Sequence, residues 1–158
     1  MASLSSSPGY VELHARSAFS FLRGASLPEE LTRTAAGLGL PALAVCDRMG
    51  LYGAPRVFDT AREQGIRAIL GAELAMEDGS VLPVLVRTRE GYRNLCRLLS
   101  QAHLRAAKNE AAIGWDELPG FTPGLVALTG DLEGPVLRAV RTGRDADLAI
   151  HRIVRAFG

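Results

Sequence analysis

Tyr10-Val-Glu-Leu-His14-Ala-Arg16-Ser17-Ala-Phe-Ser20-Phe-Leu-Arg23-Gly24 reads as a short strand that ends on a histidine and runs into a polar turn. Directly after it, Ser26-Leu-Pro28-Glu29 has the spacing of a capping box with proline in the first turn, so it opens a helix. That helix runs to about Leu38, with Leu31, Ala35 and Leu38 on one face and Gly39 as its stop. Pro41 then leads into a second strand, Ala42-Leu-Ala-Val-Cys46, which ends on Asp47-Arg48. Strand, helix, strand is the first unit of an α/β fold, and such folds gather their chemistry at strand ends.

The alternation continues outward from this unit. Gly53 to Gln64 reads as a helix stopped by Gly65, and Arg67 to Ala75 and Val81 to Arg87 as strands. Asp78-Gly79 between those strands is a two-residue turn signal, which makes them an antiparallel hairpin. Arg89 to Ala106 is the longest predicted helix, with Leu95, Leu98, Leu99 and Ala102 on one face. A loop from Ala107 to Thr122 carries Trp115, the only tryptophan. A short strand, Gly124 to Leu128, precedes helices at Leu132 to Arg141 and Asp145 to Phe157. In the last helix Ile150, Ile153, Val154 and Phe157 form the apolar stripe.

The chain has 158 residues and a formal net charge of +1, the size of one domain and with no overall basic field for nucleic acid. Nearly all its basic residues are arginine, Lys108 being the only lysine. No apolar run approaches the roughly 20 residues that span a bilayer. Residues 1–8 are Ser-rich, lack the charged start and apolar centre of a signal peptide, and read as a disordered tail ahead of a domain at 9–158. Cys46 and Cys96 fall inside predicted elements without partner spacing, so they read as small buried residues of a cytoplasmic protein.

His14, Asp47 and Glu73 each lie at or just after a strand end. If the strands are neighbours the three converge, and imidazole with carboxylates suits zinc, manganese or iron. A lone strand histidine is also a common structural residue, and spacing does not separate the two readings. There is no glycine-rich phosphate loop and no nucleophile elbow. His103 and His151 read as surface or helix-end histidines. Arg89, Arg93 and Arg97 line one helix face, either a solvated face or a stripe that tracks phosphates.

In order along the chain, Tyr10 to Gly24, Ser26 to Leu31, Ala42-Leu-Ala-Val-Cys-Asp47, Gly71-Ala-Glu-Leu74, Glu90-Gly-Tyr-Arg-Asn-Leu95 and Gly124-Leu-Val-Ala-Leu-Thr-Gly130 form a set. This set resembles the N-terminal PHP (polymerase and histidinol phosphatase) domain of bacterial C-family DNA polymerases, the DNA polymerase III alpha-subunit family. The wording around Ser17 to Ser26 is most similar to the error-prone branch used in translesion synthesis. The resemblance implies a distorted seven-stranded α/β barrel, here a partial one that stops after about five strands. It also implies a family site in which histidines and acids hold two or three ions, zinc, manganese or magnesium, to cleave phosphoesters.

Carried over position by position, His14 matches the first histidine of the family's His-x-His pair and Glu73 the glutamate after the third strand. Arg16 stands where the second histidine would be, Arg23 where an aspartate would be, and Arg48 where a histidine would follow Asp47. A guanidinium offers no lone pair and keeps its charge. At ~6 Å and an effective dielectric of ~20 it repels a divalent ion by roughly 6 kcal/mol. The resemblance therefore implies a remnant site with no metal expected, His14 and Glu73 being its ligands if there is one, and with the arginines pairing with Glu73 and Asp47.

Three functions follow as expectations. The chain is a structural, non-catalytic part of an error-prone polymerase, whose partners are the rest of that polymerase chain and, through it, DNA. Alternatively it is a metal-dependent phosphoesterase or 3'-5' exonuclease, or an arginine-based module that binds phosphates or nucleic acid. No palm acids are present for polymerisation itself. A barrel that stops early also leads us to expect marginal stability or self-association.

Overall fold

The first strand, β1 (Glu12–Ala15), alternates polar and apolar residues and lies at the edge of a five-stranded sheet. A computed structural model describes residues 9–158; the tail expected at 1–8 lies outside the described residues. The remaining strands are β2 (Ala42–Arg48), β3 (Arg67–Ala75), β4 (Val81–Val86) and β5 (Leu125–Ala127), in the order β1-β2-β3-β4-β5. β1, β2 and β3 run parallel, joined by α1 (Pro28–Gly37) and α2 (Ala54–Gln64). β3 and β4 form the expected antiparallel hairpin about Asp78-Gly79, and β4 pairs antiparallel with β5. β5 therefore runs in the same direction as β1 to β3, and the loops that follow these strands meet at one end of the sheet. The sheet is open rather than closed into a barrel, with β1 and β5 as its edges.

The helices cover one face. Leu43 and Val45 pack with Ala35 of α1 and Val57 of α2. Ala72, Leu74, Leu82 and Val84 pack with Leu95, Leu98, Leu99 and Ala102 of α3 (Arg89–Arg105), the face read from the sequence. Strand residues alternate between faces, so Ala44 and Cys46 turn the other way and meet Leu85. Among the described residues no helix is long and apolar enough to cross a membrane.

Several local expectations change. α1 is entered at Leu27, and it is Glu30, not Glu29, whose carboxylate takes the Leu27 N–H at 2.9 Å; Glu29 pairs with Arg56 instead. Thr32 rather than Leu38 joins the buried face of α1, because Leu38 lies beyond the helix end and is exposed. The loop after α3 contains a one-residue bridge from Ile113 to Met76 and a short 3-10 turn, Leu118–Gly120. α4 (Pro135–Arg141) starts three residues later than its pattern suggests, at a proline in the first helical position. α5 (Ala146–Phe157) buries Ala149 and Ala156, with Ile153 partly buried, while Ile150 and Val154 are exposed. Small residues let α5 lie close to its support, with Ile153 and Phe157 packing at the border of the contact and Ile150 and Val154 outside it. Cys46 is fully buried as expected, but Cys96 is only half-buried.

Candidate functional site

Glu73 is the centre of the strand ends. Its pairing partner on β2 is Arg48, so the two share a face, while Asp47 pairs with Ala72 and points to the opposite, helix-covered face. The period of two along a strand thus separates the acids that the sequence placed together. His14 Nε2 lies 2.8 Å from Glu73 Oε1, and Arg16 Nε donates to the same oxygen at 2.5 Å. Arg48 Nη1 stands 3.8 Å from Glu73 Oε2, an oxygen with no hydrogen-bond partner, and Glu73 itself is fully buried.

Two acids from the loop after β5 complete this cluster. Arg16 Nη2 donates to Asp131 Oδ2 at 2.5 Å. Arg23 forms a two-pronged pair with Glu133, with Nη2 to Oε1 at 2.8 Å and Nη1 to Oε2, and Arg48 Nη1 lies 3.9 Å from the same carboxylate. Asp131 also takes the Glu133 N–H at 2.9 Å, which fixes the loop. Three arginines thus face three carboxylates across the end of the sheet. Burial pulls the Arg16 guanidinium down, but its bonds to Asp131 and Glu73 outweigh this and raise it. Arg23 is raised chiefly by its bond to Glu133, and Glu133 is lowered chiefly by the same bond. Burial pushes Asp131 up, and the bond from Arg16 more than reverses this.

Asp47 does not pair with an arginine, contrary to expectation. Its oxygens take Ser17 N at 2.8 Å, Ser17 Oγ at 2.7 Å and Ser20 Oγ at 2.7 Å, all buried. Ser20 Oγ in turn accepts from Arg48 N at 3.0 Å. Asp47 therefore pins the turn from which Arg16 and Arg23 emerge. That turn folds tightly on itself: a Cβ on Gly24 would collide with the Ser17 carbonyl, so the position is kept for glycine.

His14, Glu73 and Asp131 offer ligand atoms within 4.8 Å of one another, the one such metal-like group found among the described residues. The donor set does not fit an ion as it stands, because Arg16 already occupies Glu73 Oε1 and Asp131 Oδ2 with two nitrogens. The remaining oxygen, Glu73 Oε2, faces Arg48 rather than an open coordination position. A divalent ion ~4 Å from a guanidinium would be repelled by about 8 kcal/mol at an effective dielectric of ~20.

The other sequence candidates lie apart from this cluster. His103 Nε2 is 2.8 Å from the Met49 carbonyl and His151 is exposed. Arg89, Arg93 and Arg97 are exposed on α3, Arg97 lying over the Phe121 ring. Asp131 and Glu133 were missed, although acids just after a strand end are the same signal that singled out His14 and Glu73.

Residues 12–158 match the PHP domain family. The chain is 39% identical over 165 aligned residues to an error-prone DNA polymerase of Anaeromyxobacter sp. (strain K), covering 94% of this chain and 15% of that protein. It is 44% identical over 153 residues to an error-prone DNA polymerase of Mycobacterium tuberculosis (strain ATCC 25618 / H37Rv), covering 89% of this chain and 14% of that protein. The chain thus spans about one seventh of the length of these curated relatives. Among solved structures it is similar to an amidohydrolase from Chromobacterium violaceum, with a TM-score of 0.48 and 23% identity over 60% of this chain and 33% of that one.

Proposed function

The chain belongs to the PHP domain family, and we propose that it serves as the non-catalytic PHP portion of an error-prone, translesion-type DNA polymerase. In this reading the family's metal centre has become a core of ion pairs. The rest of a polymerase chain is its partner, DNA is reached through that chain, and nucleotidyl transfer and repair synthesis take place there, in the cytoplasm. The observation that carries the reading is Arg16, which bonds Glu73 and Asp131 at once and sits where an ion would need both. The three arginine–acid pairs tie the turn after β1 and the loop after β5 to β3, a structural task that elsewhere a metal performs.

The alternative, a metal-dependent phosphoesterase, is favoured by one observation, the proximity of His14, Glu73 and Asp131. Elemental analysis of protein purified without chelator, with phosphodiester hydrolysis assayed in added zinc, manganese or magnesium, separates the two. We expect less than stoichiometric metal and no hydrolysis above background. One or more ions per chain, lost together with activity in His14→Ala, would overturn the structural reading.

A further inference from the structure

The turn between β3 and β4, the start of α4 and the first turns of α5 enclose a cleft of about 330 Å³, none of whose lining residues belongs to the ion-paired cluster. Its floor is apolar, made by Pro135, Ala139, Leu148 and Ala149, and Trp115 forms one wall. Arg138, Arg144 and Arg152 also line it. Each acid in the lining already accepts bonds within the fold. Asp78 takes Trp115 Nε1 at 2.9 Å and both donors of Ser80, with Arg152 Nη1 at 3.7 Å. Asp145 caps α5 by accepting from Asp147 N and Leu148 N.

Arg138 and Arg144 differ from the arginines of the ion-paired cluster: among the described residues neither has a carboxylate oxygen within 4.0 Å. Arg138 is nonetheless placed. Its Nη2 stands 2.9 Å from where a Cβ on Gly79 would be, so the glycine, at φ +79, leaves room for the guanidinium to lie over the turn. The indole is likewise pinned, by its bond to Asp78.

We infer that this cleft binds a nucleotide, its base against Trp115 and the apolar floor and its phosphate on Arg138 and Arg144. Guanidinium forks match phosphate oxygens, and a base stacks on an aromatic wall whatever its sequence. The volume falls in the range of small-ligand sites. The nucleotide is either free or one unit of a single strand. The inference is independent of the ion-paired reading of the strand ends.

Trp115 is the only tryptophan, so its fluorescence reports on the cleft directly. With the whole chain and dAMP as probe, we expect saturable quenching that weakens as salt is raised. Arg144→Gln and Arg138→Gln, both at exposed positions, should each weaken binding by roughly tenfold or more, while Arg62→Gln on α2 should leave it unchanged. Tighter binding and a steeper salt dependence with a short oligothymidine assigns the site to a strand, and equal binding assigns it to the free nucleotide. The inference is overturned if dAMP binds by neither fluorescence nor calorimetry, or if neither Arg138→Gln nor Arg144→Gln weakens it. Inorganic phosphate or polyglutamate binding as tightly as dAMP would also overturn it, since the base would then contribute nothing.

Discussion

Asp47 and Glu73 sit one register step apart on neighbouring strands, both almost completely buried, and they are held in contrasting ways. Asp47 is surrounded by neutral donors, one amide and two hydroxyls, that satisfy both its oxygens. Glu73 is approached by His14, Arg16 and Arg48, and one of its oxygens has no hydrogen bond at all. The first arrangement is local, tying one turn to one strand. The second draws groups from β1, the turn after it and the end of β2 onto one buried carboxylate, with Arg16 and Arg48 also reaching Asp131 and Glu133. Loss of Asp47 therefore orphans two hydroxyls that can turn elsewhere and one amide that cannot, whereas loss of Glu73 takes the buried countercharge from Arg16 and Arg48 and leaves them only the partly exposed Asp131 and Glu133.

The comparison is broken most directly by Glu73→Ala. It should cost roughly 3–5 kcal/mol, because it removes the fully buried carboxylate of the cluster and leaves its arginine partners only acids nearer the solvent. Urea unfolding followed by circular dichroism measures this, and a cost no larger than that of Asp47→Asn would erase the distinction. Asp47→Asn keeps one acceptor and loses the other, so about 1–3 kcal/mol is expected from the same titration. Adding salt should leave that difference unchanged, since no ion pair is involved.

Glu133 sharpens the comparison at the exposed rim of the charged cluster. Its pair with Arg23 is partly exposed, so Glu133→Gln should cost under about 1 kcal/mol at neutral pH. The carboxyls of Glu133 and Asp131 titrate lower in the folded chain than when unfolded. Their contribution is therefore full above the unfolded values, about 4.3 and 3.9, and is lost as the pH falls through the lower folded-state values. The melting temperature should fall as the pH is lowered from ~5 to ~3, and less steeply in Glu133→Gln.

The smallest effect concerns Cys46, which faces the Glu73 side of β2. Burial first, and then the charges of Glu73 and Asp47, push its thiol up to about 12. A thiol reagent at neutral pH should modify one cysteine of the native chain, the half-buried Cys96, and reach Cys46 only on unfolding. Rapid modification of both would show that the strand ends open readily.

Much of the fold was legible because the hydrophobic periods are clear where packing partners are large. Leu95, Leu98, Leu99 and Ala102 chose the face of α3 correctly, and Asp78-Gly79 placed the hairpin. The stripe expected on α5 holds in half: Ile153 and Phe157 pack against the core, whereas Ile150 and Val154 are exposed and the small Ala149 and Ala156 take the buried positions. At the candidate site, Glu73, His14 and the arginines were found by their places after strands. The face on which each side chain falls was not: Asp47 and Glu73 both lie near the ends of their strands, and only the register between β2 and β3 turns them apart. Glu133 was hidden by the helix expected from Leu132, although Pro135 in the first helical position marks where α4 starts and leaves it in the loop; Asp131 lay in that loop already, with nothing in the spacing beyond its place after a strand to bring it to the site.

Every strand in the sheet pairs with its neighbour in sequence. Such a chain can add its strands one at a time, each closing a connection far shorter than the whole chain, and this keeps the entropic cost of each step small. The ion pairs do not share that economy. Arg16 and Asp131 are 115 positions apart, and Arg23 and Glu133 are 110. They can form only after the last strand has docked, so the charged cluster is a late seal that slows unfolding and leaves the early steps of assembly to the apolar sheet and its helices.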